Sequence, residues 1–496
     1  MNISSDKKNN RIAFYVAVGK ILAMIVQFVM PLFLTRFLTK HDYGIYSQFY
    51  LVFGFLLSIF GMGIQSNLYY FYPKSRIDEQ GRFVWGTYIL ILISGIIGCG
   101  LFMIPSVGQV IINNDYLEEY TFLIAACVFL GMPSLMIDPL SVVRSDKRLA
   151  VVFHPLEVIC KILIVIAFAL IFRSLSSILY GILLLEFLIF CFVFVYLIKN
   201  YRLSNDTFSF SLLKQQLIYS LPFGVAVVLN TLSGRFDKLL SVSFLTPEQY
   251  ATYSIAFFGI PGIMQIYDSL CQVNVTNMAK LYKENDILGV KNEYKSFVVK
   301  TLSFSFPIIL IVFVFTPQLI DLLFSEKYAD AVPFFRIYIL TFVIGMLGSG
   351  TILRAIDKTK LSMRAYFISV MITLPLSYWL IKTYGIWGAI GSAVLNTVVP
   401  KLFQIIFETR SINSSIKDYF PWKEIGIIVG FATGALFPII ILSHLMLLDI
   451  WAAIVISAIY VIALYWIYLR YDVFVVKPEV IKEYLQHIVS KIKRNA

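Results

Sequence analysis

Apolar stretches of about twenty residues alternate with short polar segments along most of this chain. A helix needs roughly 20 mostly apolar residues to cross the hydrocarbon core of a bilayer. The pattern therefore predicts an all-α polytopic membrane protein with fourteen spans. Their approximate bounds are 12–34, 45–71, 83–104, 121–142, 150–172, 177–198, 217–242, 250–272, 297–323, 333–354, 362–381, 385–407, 425–443 and 450–469.

The composition agrees with this pattern. Of the 496 residues, 59% are hydrophobic and only 14% are charged, whereas a soluble protein carries about 25% charged residues. An ordinary soluble enzyme is therefore excluded. All five cysteines fall inside predicted spans, so the sequence predicts no disulfide framework and no cysteine metal site.

The formal net charge of +12 is explained by membrane topology. Of the 41 basic residues, 30 lie in the N-terminal segment, the even-numbered loops and the tail, five lie in the odd-numbered loops, and six lie within spans. Because short cytoplasmic segments collect Lys and Arg, we expect both termini to be cytoplasmic. No nucleic-acid partner is needed to account for the charge.

An internal repeat divides the chain. The segment FLTKHDYGIYS at 37–47 shares six of eleven residues with FLTPEQYATYS at 244–254, an offset of 207. Each copy lies between the first and second spans of a six-span unit, which indicates a duplication in parallel orientation. We therefore predict two six-helix lobes (1–200 and 201–410), two added helices (411–470) and a cytoplasmic amphipathic tail (471–496). Transporters built from such repeats place their substrate site between the halves.

Several segments carry a family resemblance. The stretch from Pro31 through Ser47, Leu221 and Pro222, Asp237, and the segment from Tyr384 to Ala389 resemble the polysaccharide-transporter branch of the MOP (multidrug, oligosaccharidyl-lipid, polysaccharide) exporter superfamily. In particular, the chain is similar to Wzx-type O-antigen flippases.

The resemblance implies a transporter of the bacterial inner membrane. Such a flippase moves undecaprenyl-diphosphate-linked O-antigen or related lipopolysaccharide units from the cytoplasmic to the periplasmic leaflet by alternating access of two lobes. The expected partners are this lipid-linked oligosaccharide, membrane lipids and a polysaccharide polymerase. We expect no catalytic residue, bound metal or cofactor, and a proton or sodium gradient as the energy source.

Charged side chains inside the spans are the candidates for function, because they are costly in hydrocarbon and usually face a polar interior. Lys20, Lys161 and Glu186 are the deepest, and Glu157 precedes Lys161 by one helical turn. In one interpretation, Lys20 and Lys161 attract the diphosphate while Glu157 or Glu186 takes up the coupling ion. In the other, Glu157 and Lys161 form a neutralised structural pair.

Further charged residues lie nearer the ends of spans 7, 8, 10 and 12. Cations there suit an anionic substrate and carboxylates suit ion coupling, but Lys and Arg at span ends can also extend to the interface without any role. The candidates for substrate binding are Arg235, Lys238, Arg336 and Lys401, and those for ion coupling are Asp237 and Asp268.

Besides a lipid II flippase of a sister branch, to which no residues could be matched, two alternative functions stay open on the sequence. A membrane-embedded polysaccharide polymerase or glycosyltransferase would carry a large loop with catalytic residues, whereas the longest loops here have about 25 residues. A multidrug or cation antiporter of the same superfamily would favour an acidic cavity, whereas the charges within these spans are at least as basic as acidic.

Overall fold

The computed structural model describes residues 29–76, 79–112, 114–144, 146–201, 210–259, 263–445 and 450–471. All regular secondary structure in these ranges is helical, and twelve helices there are long and apolar enough to cross a membrane. The predicted all-α polytopic fold is therefore confirmed. The predicted tail and most of the first span, including Lys20, lie outside the described residues.

The chain divides into two compact units, Met1–Ser254 and Ile255–Ala496. The α-helices described from the start of the first unit are α1 (Val29–Phe37), α2 (Lys40–Gly61), α3 (Asn67–Lys74), α4 (Gln80–Phe102), α5 (Pro105–Ile111), α6 (Asp115–Glu118), α7 (Thr121–Gly131), α8 (Ile137–Val143), α9 (Lys147–Phe172), α10 (Leu175–Asn200), α11 (Phe210–Phe244) and α12 (Pro247–Ala256).

The remaining α-helices belong to the second unit. They are α13 (Ile263–Lys283), α14 (Ile287–Val314), α15 (Thr316–Phe324), α16 (Val332–Gly345), α17 (Thr351–Ala355), α18 (Thr359–Tyr384), α19 (Ile386–Ser411), α20 (Ile416–Tyr419), α21 (Trp422–Leu445) and α22 (Ile450–Arg470). The predicted lobe boundaries rest on the repeat and stay a prediction, as does the count of fourteen spans.

Several predicted spans are not continuous helices. The second span bends after α2, where Met62 and Gly63 adopt positive φ angles of 45° and 59° that end a right-handed helix. The eighth span, predicted over 250–272, is divided between α12 and α13. Gly259 and Pro261 lie between these two helices in the sequence, and both residues disfavour a continuous helix.

Some features recur at matching positions of the predicted repeat. The fifth and sixth spans of the first half, α9 and α10, have 26 residues each, and so do their counterparts α18 and α19. The third spans, α4 and α14, are each followed by a short helix with proline in its first turn, Pro105 in α5 and Pro317 in α15. Proline suits this position because a first-turn N–H has no helical partner.

The repeated segment at 37–47 and 244–254 contains a helix cap in each copy. Thr39 caps α2 by accepting a hydrogen bond from the Asp42 amide at 3.1 Å. Thr246 and Gln249 exchange two side-chain to backbone hydrogen bonds of 3.3 Å at the start of α12, which is a capping box. The six shared residues therefore include the signal that starts each second span.

The two copies of this segment also pack against each other within the first unit. A Cβ atom on Gly44 would overlap the backbone carbonyl of Pro247, and the buried Tyr43 hydroxyl is hydrogen-bonded to Ser254. The absence of a side chain at Gly44 permits this contact of helix against backbone.

The packing of α18 against α19 shows how small residues join helices in this fold. Ala365, Ser369, Thr373 and Ser377 recur at every fourth position of α18 and are buried. The Ser392 hydroxyl on α19 donates to the Ser377 hydroxyl at 2.6 Å. Small residues with polar hydroxyls are typical of helix contacts in membranes, because they let the backbones approach closely.

Candidate functional site

Lys161 is held over an aromatic ring in the first unit. Its Nζ atom lies 3.9 Å from the centre of the Tyr50 ring, which α2 presents to α9. An ammonium over the face of a tyrosine ring is attracted by the ring quadrupole, more strongly where water is depleted. The ring thus keeps a cation inside the bundle without neutralising it.

Glu186 approaches the same place from α10. Its side chain is only 7% exposed, and its Oε2 atom lies against Gly131 of α7, 3.0 Å from where a Cβ atom would stand. The Lys161 ammonium interacts electrostatically with the carboxylates of Glu186 and Glu157. The structure therefore brings together Lys161 and Glu186, which their depth within the spans singled out, and Glu157, which its spacing from Lys161 singled out.

His154 and Asp138 extend this group, and the sequence analysis missed both. The His154 Nε2 atom lies 2.7 Å from Asp138 Oδ1, and its Nδ1 atom lies 3.4 Å from Glu157 Oε2. A histidine in the fifth predicted span and an aspartate in the fourth were a usable signal. We call Asp138, His154, Glu157, Lys161 and Glu186 the ionisable row.

Arg235 adds a second cation next to α2. Its Nη1 atom lies 3.2 Å from the position of a Cβ atom on Gly54, one helical turn after Tyr50. Lys161 and Arg235 therefore contact successive turns of α2. Near Arg235 on α11, Asp237 is buried and interacts electrostatically with Tyr250, while Lys238 is half-buried.

Arg336, predicted as a substrate-binding residue, makes structural contacts in the second unit. Its guanidinium donates to the backbone carbonyls of Phe313 at 2.9 Å and Val314 at 3.2 Å. These are the last residues of α14, whose carbonyls have no partner within the helix. Arg336 thus caps α14, and we do not include it in the proposed site.

The other two predicted residues of the second unit, Asp268 and Lys401, both interact electrostatically with Cys271 of α13. Asp268 is exposed on α13, and the half-buried Lys401 interacts electrostatically with Glu408. Glu408 was missed because it lies just beyond the predicted twelfth span. Its carboxylate is fully buried and accepts hydrogen bonds from the Ile352 amide at 2.7 Å and the Tyr419 hydroxyl at 2.6 Å.

The Glu408 carboxylate accepts hydrogen bonds from backbone amides in the first turn of α17. Gly350, with a φ of 92°, immediately precedes this helix. Burial raises the pKa of Tyr419, which lies outside the spans, well above its usual value; this hydroxyl therefore stays a donor to Glu408. Among the described residues, no group of three or more His, Cys, Asp or Glu side chains could hold a metal ion.

Comparison with known proteins places the chain among proteins of polysaccharide biosynthesis. A family model described as "Polysaccharide biosynthesis protein" matches residues 33–333. An "Uncharacterized membrane protein in cps region" of Klebsiella pneumoniae is 22% identical over 425 residues, which cover 81% of this chain and 83% of the relative.

Solved structures share the fold. "Lipid II flippase MurJ, inward closed conformation" superposes with a TM-score of 0.65 at 15% identity, over 90% of this chain and 98% of that one. An inward-facing multidrug resistance MATE transporter of the MOP superfamily gives a TM-score of 0.52 at 13% identity, over 80% and 94%. The match over residues 33–333 confirms the predicted resemblance to a polysaccharide biosynthesis family, and the two solved structures, both of membrane transporters, show that the fold is shared.

Proposed function

The chain belongs to the polysaccharide biosynthesis protein family, and from this premise we propose that it is a flippase for a lipid-linked oligosaccharide. The substrate would be an undecaprenyl-diphosphate-linked repeat unit of O-antigen or a related polysaccharide. It would pass from the cytoplasmic to the periplasmic leaflet of a bacterial inner membrane by ion-coupled alternating access. The transporter fold and the ionisable row support this proposal.

The observation that carries the proposal is the cation inside the first unit. Lys161 lies within the candidate span Val152–Phe172 and is held by Tyr50 at 3.9 Å, and Arg235 approaches the next turn of the same helix. A diphosphate offers several anionic oxygens, and hydrogen bonds between ammonium or guanidinium groups and phosphate are among the strong ones. These two side chains would bind the diphosphate.

The carboxylates of the ionisable row would carry the coupling ion. Asp138, Glu157 and Glu186 come from three different helices, and His154 bridges the first two at hydrogen-bonding and ion-pair distances. Chains of Asp, Glu and His inside a membrane protein are typical of proton relays. We therefore favour a proton over sodium as the coupling ion.

Substitution of Lys161 tests the site. We expect Lys161→Ala to lower transport by about 10- to 100-fold, the weight of one hydrogen bond between charged groups, while Lys161→Arg keeps part of the activity. The measurement is surface polysaccharide in a strain that depends on this protein, with membrane abundance determined in parallel. Lys199→Ala, at an exposed position of α10, is the matched control.

Normal polysaccharide from Lys161→Ala at normal abundance would remove the proposed role of this residue. The flippase function itself is tested separately with purified protein in vesicles that contain undecaprenyl-diphosphate-linked oligosaccharide. Failure of the wild-type protein to move this lipid would contradict the proposed function whatever the variants do.

A further inference from the structure

A basic pocket lies at the start of α14 and α21 in the second unit. It has a volume of about 420 Å³, and Lys295, Lys417 and Lys423 line it together with a single acidic residue, Glu424. Lys417 and Lys423 are exposed and Lys295 is half-buried. This end of both helices belongs to the side that the distribution of basic residues assigns to the cytoplasm.

An apolar groove begins where the basic pocket ends. It has a volume of about 210 Å³, is lined entirely by apolar surface, and includes Leu302 and Phe306 of α14 and Ile425 and Val429 of α21. Phe420 and Trp422 line both the pocket and the groove. The two features therefore adjoin at Phe420 and Trp422 and give this surface a basic end and an apolar end.

The order of residues along both helices gives this surface its direction. Along α14, Lys295 and Val299 line the basic pocket, and Leu302 and Phe306 line the apolar groove. At about 1.5 Å per residue, the groove lies roughly 4 to 16 Å deeper than the pocket. Trp422 is 55% exposed at the junction, and exposed tryptophan is typical of the boundary between headgroups and hydrocarbon.

The segment from Tyr419 to Trp422, beside the basic pocket, is firmly packed. Tyr419 donates to Glu408 and packs on Tyr294 with a ring-centre distance of 4.5 Å, and the neighbouring Phe420 is only 7% exposed. The Trp422 ring contacts Phe420 edge-on at 5.3 Å. The short helix α20 and the residues after it are therefore fixed against α14.

We propose that this surface binds an anionic phospholipid, with its phosphate among Lys295, Lys417 and Lys423 and an acyl chain in the groove. The lysines of the pocket complement the charge of an anionic headgroup. The apolar groove, which lies deeper, matches an acyl chain. Each lysine near a membrane surface contributes about a fivefold preference for anionic lipid. Phospholipid is the occupant that the bilayer supplies in bulk at this depth.

The headgroup is tested by removing the three lysines together. Wild-type protein and the Lys295→Ala, Lys417→Ala, Lys423→Ala triple variant are purified in detergent and titrated with phosphatidylglycerol and with phosphatidylcholine, with bound lipid counted by native mass spectrometry. We expect the triple variant to bind phosphatidylglycerol roughly 100-fold more weakly, and phosphatidylcholine binding to be weak in both. A second triple variant, Lys280→Ala, Lys283→Ala and Lys360→Ala, removes equal charge from exposed positions outside the pocket and should behave as wild type.

Binding of the acyl chain is tested without changing the charge of the protein. Val429→Trp fills the groove and should also weaken phosphatidylglycerol binding, whereas Val455→Trp, at a position of α22 that is 57% exposed, should not. Unchanged phosphatidylglycerol binding in the lysine variant, or equal binding of the two phospholipids by the wild type, would overturn the proposal. Displacement of phosphatidylglycerol by undecaprenyl phosphate at equal or lower concentration would also overturn it, because the surface would then belong to the transported lipid.

Discussion

Glu186 is the most deeply buried carboxylate of the ionisable row, with 7% of its surface exposed. Both Lys161 and Glu157 act on it electrostatically, so a change in its protonation alters the field at the cation that would bind substrate. A glutamine at this position has nearly the same shape but cannot take up a proton. The residue therefore allows ion coupling to be separated from folding.

We expect Glu186→Gln to reach the membrane at normal abundance and to lose the dependence of transport on a proton gradient. The measurement is lipid translocation in vesicles with and without an imposed gradient. Glu248→Gln, at an exposed position of α12, should respond to the gradient as wild type does. If lipid translocation by the Glu186→Gln variant still becomes faster with the gradient, this carboxylate is excluded as the coupling group.

Position within one span was enough to single out three charged residues that the structure places together. Lys161, Glu157 and Glu186 stand out because a charge in the middle of an apolar stretch needs a partner. Asp138 and His154 were not predicted, because their contact at 2.7 Å joins α8 to α9 and such contacts depend on how the helices pack. The contacts of Arg336 could not be predicted for a similar reason, since its partners are backbone carbonyls, which the side-chain sequence does not reveal.

At the scale of elements, the contact between α2 and the start of α12 depends on one glycine. The backbone of Pro247 occupies the space that a Cβ atom on Gly44 would need. Backbone yields less readily than a flexible side chain, and added volume in a packed contact costs about 1–3 kcal/mol. We therefore expect Gly44→Ala to lower the thermal unfolding temperature of the purified protein.

Gly100→Ala is the matched control, because Gly100 also lies in a long helix and has nothing within 4 Å of an added Cβ atom. Alanine favours a helix over glycine by about 0.5–1 kcal/mol, so this variant should unfold at the same or a higher temperature. Equal unfolding temperatures for both variants would mean that the helices separate readily at Gly44.

The apolar pattern predicted that the elements exist and roughly where they lie, since length and hydropathy decide whether a helix can span a bilayer. It did not predict that the second and eighth spans are interrupted. Met62 at a φ of 45° shows why: hydropathy does not register backbone conformation. The capping residues Thr39 and Thr246 did leave a signal in the sequence, because both belong to the internal repeat.

At the scale of the whole molecule, the distribution of basic residues makes a topological prediction. We expect a green fluorescent protein fused to the C-terminus to fluoresce, because both termini are predicted to be cytoplasmic. Alkaline phosphatase fused after Arg173, in an odd-numbered loop, should be active, because its disulfides form only outside the cytoplasm. Phosphatase activity from the C-terminal fusion would reverse the predicted orientation.

The ionisable row also has a consequence for the order of events during transport. It contains three carboxylates, one ammonium and one imidazole whose two nitrogens each face a carboxylate, so it carries a formal charge of −1 with the histidine protonated. A diphosphate that approached Lys161, as we propose, would be repelled by this excess of negative charge until protons neutralised it. Proton uptake and anion binding would then favour each other to the same degree, since thermodynamic linkage is reciprocal. A loaded substrate would thus hold its own driving ion in place during the crossing.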